Sequence, residues 1–148
     1  MSKPKQATWE AGAGAAANAR RELPKLTAHY FAEVRKLLAE DPSPTELHRV
    51  RLATKRLRYT IELFRPCYGP GLETRLAALR TIQQMLGEVN DSVAAAKLLP
   101  KSMRARDFVE RRGEEKAAEF RKHWAEVFDA AGQEQLWTGF LKRRARKG

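Results

Sequence analysis

Apolar side chains recur at three- and four-residue intervals along most of this chain, and no segment alternates between polar and apolar residues. That period is typical of amphipathic α-helices, so the sequence predicts an all-α fold. Clusters of proline and glycine interrupt the pattern, most clearly at residues 41–44 and 66–71. The intervals between the interruptions predict helices over residues 18–40, 45–65, 72–99, 103–131 and 134–144.

Four long amphipathic helices joined by short loops are expected to form an antiparallel four-helix bundle, with the fifth as a short additional C-terminal helix. The chain has 148 residues, of which 43% are hydrophobic, enough for one buried core. We expect a flexible N-terminal segment over residues 1–15, a bundle over 16–141 and a basic tail over 142–148. The core is expected to include Phe108, Val127 and Leu136.

Several residues inside the predicted helices disfavour or end a helix. Pro24 is expected in the first turns of the first helix, where a missing amide is tolerated. Gly87 and the pair Asn90-Asp91 are expected to mark a kink or a break, with Asp91 a candidate cap for a helix start. Gly132 is a candidate C-terminal cap.

The chain carries 29 Lys and Arg against 18 Asp and Glu, for a formal net charge of +11. Such a charge repels itself, so an anionic partner is expected: nucleic acid, an anionic membrane surface or polyphosphate. A single cysteine, Cys67, rules out an internal disulfide. Since no signal peptide or membrane-spanning run is present, we expect a cytoplasmic protein without membrane insertion.

The cations are concentrated on the second predicted helix. On a helical wheel its apolar face consists of Val50, Ala53, Leu57, Ile61 and Phe64. Nearly opposite lies what we call the cationic stripe, formed by His48, Arg51, Lys55, Arg58 and Tyr59 and flanked by Arg49 and Arg56. Like charges three and four residues apart destabilise a helix by about 0.2–0.5 kcal/mol per pair, so helix stability alone does not explain the stripe.

Side chains at this spacing stand about 5–6 Å apart, which suits the successive charges of a phosphate polymer. Arginine offers forked donors to oxyanions and lysine a point charge. A merely solvated basic face is the alternative. Nucleic acid is the second choice of ligand, because the stripe has no Asn or Gln to read base edges and only Tyr59 to stack on a base.

Catalytic chemistry has few candidates in this sequence. The three histidines, His29, His48 and His123, fall on different predicted helices. There is no glycine-rich phosphate loop, nucleophile elbow or HExxH motif. We therefore expect no enzymatic activity, no cofactor and no metal, with an accessory role in phosphate metabolism as a further alternative.

Two motifs carry a family resemblance. The run HRVRLATKRLRY at residues 48–59 resembles the signature of CHAD domains, the conserved histidine α-helical domains. The run LGEVNDSV at residues 86–93 is similar to the family's second motif. The resemblance covers about residues 16–130.

The resemblance implies a non-enzymatic domain that binds inorganic polyphosphate and is associated with polyphosphate granules. The implied ligand contacts are His48, Arg51, Lys55, Arg56 and Arg58, with Tyr59 from the stripe and Arg20, Arg21 and Lys25 of the first helix as additions. Family members typically contain two such bundles with a basic channel between them, whereas this sequence shows one His-x-x-Arg motif. Either the chain works as a half-domain, or two copies pair in a homodimer that rebuilds the second half of the surface.

Overall fold

The computed structural model describes residues 6–146, and over that range the predicted all-α fold is confirmed. All five predicted helices are found, with their ends displaced by a few residues, and a single-turn helix is added between the second and the third. The helices in chain order are α1 Ala15–Leu38, α2 Pro44–Glu62, α3 Arg65–Tyr68, α4 Gly71–Lys97, α5 Arg104–His123 and α6 Gln133–Arg143. Of these helices, none combines the length and apolarity needed to cross a lipid bilayer.

The start of α2 is fixed by a complete capping box. The Glu46 amide donates a hydrogen bond to the Ser43 hydroxyl at 3.2 Å, and the Ser43 amide donates to the Glu46 carboxylate at 3.0 Å. Pro44 occupies the first helical position, where the amide it lacks would have no helical partner. These contacts set the register of the helix that carries the cationic stripe.

The helices pack in a simple order. α2 lies between α1 and α4, while α5 lies against α4 and α6 against α1. α5 runs antiparallel to the second half of α4, since Lys116 pairs with Glu88 at 3.0 Å and Gly113 meets Ser92. α5 and α6 together therefore occupy the fourth position of the bundle.

A π-helical turn, Trp124–Phe128, ends α5 and turns aromatic side chains into the core. The rings of Trp124 and Phe128 stack with centroids 4.9 Å apart. Tyr30 and Phe31 of α1 pack against both rings, with centroids 5.3–6.0 Å apart. This aromatic cluster holds the end of α5 against α1.

Polar contacts hold α6 antiparallel to α1. Near the end of α1, Arg35 pairs with Asp129 and with Glu134, each at 2.6 Å. Near its beginning, Arg20 donates a hydrogen bond to the carbonyl of Ala145 at 2.7 Å. The two ends of α6 are thus fixed to opposite ends of α1.

Of the N-terminal segment predicted over residues 1–15, the first five residues lie outside the described range. The remainder contacts α1: the Thr8 amide donates to the buried carboxylate of Glu22 at 2.8 Å. Glu10 forms a second hydrogen bond of 2.8 Å to a side chain of α1. The segment therefore lies along the beginning of that helix.

Of the basic tail predicted over residues 142–148, Lys142 and Arg143 belong to α6. The Arg146 amide donates to the carbonyl of Cys67 at 2.9 Å, which ties the tail to α3. The last two residues of the tail lie outside the described range.

Some expectations for individual helices are wrong. The helix α4 passes unbroken through Gly87, Asn90 and Asp91, so there is no break and no helix start for Asp91 to cap. A single glycine is not enough to interrupt a helix whose apolar face is buried on both sides of it. Because α1 begins at Ala15, Pro24 lies inside the helix rather than in its first turns.

Three expected core residues are exposed: Phe108, Val127 and Leu136 retain 65%, 57% and 58% of their surface. They lie on α5, the π-helical turn and α6, each of which is covered by neighbouring helices on only part of its circumference. Gly132 has a φ of 85°, as a helix-terminating glycine would, but it is the residue that precedes α6.

An added methyl group should have opposite effects on stability at two glycines that face neighbouring helices. A Cβ at Gly113 would lie 3.1 Å from the Cβ of Ser92, whereas one at Gly87 would meet Arg51 Nε at an ordinary 3.7 Å. We expect Gly87→Ala to raise the free energy of unfolding by about 0.5–1 kcal/mol through helix propensity. We expect Gly113→Ala to lower it by about 1 kcal/mol by forcing α4 and α5 apart. Urea denaturation measures both, and equal stabilisation would contradict the close contact.

Candidate anion-binding site

The cationic stripe faces outward because α2 buries its opposite side. Val50, Ala53, Leu57 and Ile61 are buried, as the helical wheel predicts, and Phe64 is partly buried beyond the end of the helix. Of the stripe, His48 and Tyr59 are exposed, while Arg51, Lys55 and Arg58 are half-buried.

Arg51 and Arg58 line a shallow groove between α2 and α4, together with Arg80 of α4. The side chain of Arg58 is only 16% exposed. The Nε atoms of Arg51 and Arg58 are buried without a hydrogen-bond partner among the described residues. Because their stems are packed, the guanidinium groups are held in place, which lowers the entropy lost when a ligand binds.

Carboxylates lie at both ends of this groove. Glu62 is 3.6 Å from Arg58 and 3.4 Å from Arg80. Glu88 and Asp91 line the groove beside Arg51, and Glu88 is already paired with a lysine of α5. An anion in the groove would therefore compete with Glu62 for two of the three guanidinium groups.

Most cations of α2 have no acidic partner among residues 6–146. Arg49, Arg51, Lys55 and Arg56 form no ion pair with any residue in the described range, and Arg58 pairs only with Glu62. α2 therefore carries positive charge that the fold does not neutralise locally.

Arg56 and Tyr59 do not line the groove of Arg51 and Arg58. Arg56 lies on the other side of α2, where it lines a cleft against α1, and Tyr59 lines the same cleft. The guanidinium carbon of Arg58 lies 4.6 Å from the centroid of the Tyr59 ring, so Tyr59 stands between the two sides. The structure thus divides the predicted site residues between two surfaces.

The three predicted contacts from the first helix are engaged elsewhere. Arg20 donates to the Ala145 carbonyl, and Arg21 pairs with Glu10 at 3.0 Å. Lys25 lies 3.7 Å from a glutamate one turn earlier on α1. None of the three lines the groove or the cleft.

Thr54, inside the first motif, makes a buried contact that the sequence does not reveal. Its hydroxyl donates to the Val50 carbonyl at 2.8 Å and lies 2.7 Å from the Tyr30 hydroxyl. Since the only hydroxyl hydrogen of Thr54 is directed to Val50, Tyr30 must be the donor in the second bond. Burial raises the pKa of the Tyr30 phenol well above its ordinary value, so it remains a neutral donor. The pair fastens α1 to α2.

The two motifs meet in space, with the guanidinium of Arg51 beside Gly87. A family model described as the CHAD domain matches residues 2–100. The chain belongs to the CHAD domain family. The match spans α1 to α4 of this CHAD domain, including both motifs, and leaves α5 and α6 outside. No curated protein and no solved structure matches the chain.

Removing the two hydroxyls of the Tyr30–Thr54 hydrogen bond one at a time or together should change the free energy of unfolding by unequal amounts. Thr54→Val keeps the side-chain shape but leaves the Tyr30 hydroxyl buried without an acceptor, which should lower the free energy of unfolding by about 1–3 kcal/mol. Adding Tyr30→Phe removes the stranded donor and should recover part of that loss. Denaturant titration of both single variants and the double variant checks this. Strictly additive losses would show that the hydrogen bond is unimportant.

Proposed function

We propose that this CHAD domain binds inorganic polyphosphate on the outward side of α2, without catalysing its turnover. The observation that carries the proposal is that four of the five Lys and Arg residues between positions 48 and 59 lack an acidic partner in the described range. A polyanion would relieve the repulsion among these cations. Family membership supports polyphosphate as the polyanion, since the CHAD resemblance implies that ligand.

The groove between α2 and α4 suits a ligand that carries several negative charges. Arg51 and Arg58 are seven residues apart on one helix, which is about 10 Å along its axis. Two arginines at this spacing suit successive phosphates of a chain, with Lys55 on the same side of α2 and Arg80 beside Arg58. The ligand displaces Glu62 from Arg58 and Arg80 as it binds.

The proposal extends to cellular location. We propose that the protein lies in the cytoplasm, at polyphosphate granules where these form.

A competition assay tests ligand identity. Labelled long-chain polyphosphate is bound to the protein and displaced, at fixed ionic strength, by unlabelled polyphosphate, orthophosphate, DNA, RNA or heparin. We expect polyphosphate to compete at the lowest phosphate concentration and orthophosphate hardly at all, because a polymer contacts several cations at once. Equal competition by every polymer would reduce the proposal to generic electrostatic attraction.

Matched variants locate the surface. The triple variant Arg51→Gln, Lys55→Gln, Arg58→Gln should lose at least about tenfold in affinity and bind with a shallower salt dependence. Its control is Arg104→Gln, Arg111→Gln, Arg112→Gln on α5, which also lowers the formal net charge by three, from +11 to +8. Equal losses in the two triple variants would mean that net charge, not α2, determines binding.

The proposal also includes assembly into a homodimer that presents two cationic stripes. Its structural support is the exposed apolar surface around the turn from α4 to α5, where Leu98, Met103 and Phe108 retain 86%, 46% and 65% of their surface. Neighbouring exposed apolar side chains are typical of contact surfaces. We expect sedimentation equilibrium to detect a dimer that Phe108→Glu dissociates. A strict monomer at high protein concentration, with and without polyphosphate, would contradict it.

A further inference from the structure

A second cleft lies on the other side of α2, where α2, α1 and the N-terminal segment meet. Its volume is about 530 Å³, which is in the range of small-molecule sites. Leu26 of α1 and Ala53 and Leu57 of α2 supply an apolar surface within it. The cleft is therefore distinct from the groove proposed for polyphosphate, and its lining is more apolar.

Two aromatic side chains that line the cleft are exposed to solvent. Trp9 and Tyr59 retain 46% and 48% of their surface, although both rings have a neighbour. Trp9 packs against Phe64, with ring centroids 5.3 Å apart. The guanidinium carbon of Arg58 lies 4.6 Å from the centroid of the Tyr59 ring. Half-exposed rings that are held by such contacts are suited to stacking on a flat heterocycle.

The polar groups of the cleft differ between its two walls. On α1, His29 Nε2 is buried, lies 3.4 Å from the Glu33 carboxylate and makes no hydrogen bond with a described residue. On α2, Arg56 is exposed and has no ion pair in the described range. One wall thus offers a hydrogen-bonding imidazole and an acceptor carboxylate, and the other offers a guanidinium.

From this arrangement we infer that the cleft binds a nucleoside monophosphate or a closely similar aromatic anion. The heterocycle stacks on Trp9 and Tyr59, and its exocyclic amino group donates to Glu33. The phosphate takes forked hydrogen bonds from Arg56. The inference rests on the cleft alone and does not depend on polyphosphate binding at the other side of α2.

Calorimetric titration of the full chain with adenosine monophosphate tests the inference, with adenosine and ribose 5-phosphate as partial ligands. We expect saturable binding of adenosine monophosphate, about tenfold weaker binding of adenosine, and weaker binding still of ribose 5-phosphate. Arg56→Gln should bring adenosine monophosphate down to the affinity of adenosine. Trp9→Leu should weaken the binding of adenosine monophosphate and of adenosine by roughly five- to 100-fold, as loss of base stacking does.

The matched control is Arg49→Gln, because Arg49 lies on the same side of α2, two turns before Arg56, and does not line the cleft. It should leave nucleotide affinity unchanged. Arg51→Gln with Arg80→Gln, both of which line the groove between α2 and α4 and not the cleft, should weaken polyphosphate binding and spare the nucleotide. Arg56→Gln should weaken nucleotide binding and leave the groove intact, so either proposal can fail alone. Circular dichroism confirms that each variant keeps its helices.

Three outcomes would overturn the inference. The first is no saturable binding of adenosine monophosphate at millimolar concentration. The second is an equal loss of affinity in Arg49→Gln and Arg56→Gln, which would indicate attraction to charge in general. The third is a loss of nucleotide binding in Arg51→Gln with Arg80→Gln while Arg56→Gln binds normally, which would place the nucleotide in the α2–α4 groove.

Discussion

The packing of α2 between α1 and α4 is the constraint on which the functional surface depends. Val50, Leu57 and Ile61 are buried in that packing, and each contributes about 1.5–3 kcal/mol to folding. Repulsion between neighbouring cations on the opposite side removes only about 0.2–0.5 kcal/mol per pair. Burial therefore exceeds repulsion by a wide margin, and this is why a helix with so many neighbouring cations can be a stable part of the bundle.

Features that depend on local sequence could be predicted. The positions of the five helices follow from a period of three to four residues and from the proline and glycine breaks, and the buried face of α2 follows from the same period. The break expected near Gly87 is wrong because α4 is held on both sides of it by buried residues. Local signals are thus reliable for the existence of a helix and weaker for its interruption, where tertiary packing decides.

Features that depend on distant parts of the chain could not be predicted. Arg20 is bound by the carbonyl of Ala145, and no pattern in either segment links the two. Phe108 has the spacing of a core residue, but it lies on the exposed side of α5. A helical wheel likewise separates polar from apolar sides without identifying the neighbouring helices. The family resemblance implied one site for Arg51 and Arg56, but Arg51 lines the groove and Arg56 the cleft.

The chemistry of each side of α2 is determined by the helix that faces it. α4 places Arg80 beside Arg58, so that Arg51, Arg58 and Arg80 form a groove lined by three guanidinium groups. Carboxylates lie at the ends of that groove. α1 instead places His29 and Glu33 opposite Arg56, which leaves one cation beside apolar and aromatic walls. A polymer of phosphates suits the first surface because charge is repeated along the axis. A single anionic group attached to a ring suits the second, because Arg56 offers one guanidinium there beside apolar and aromatic side chains.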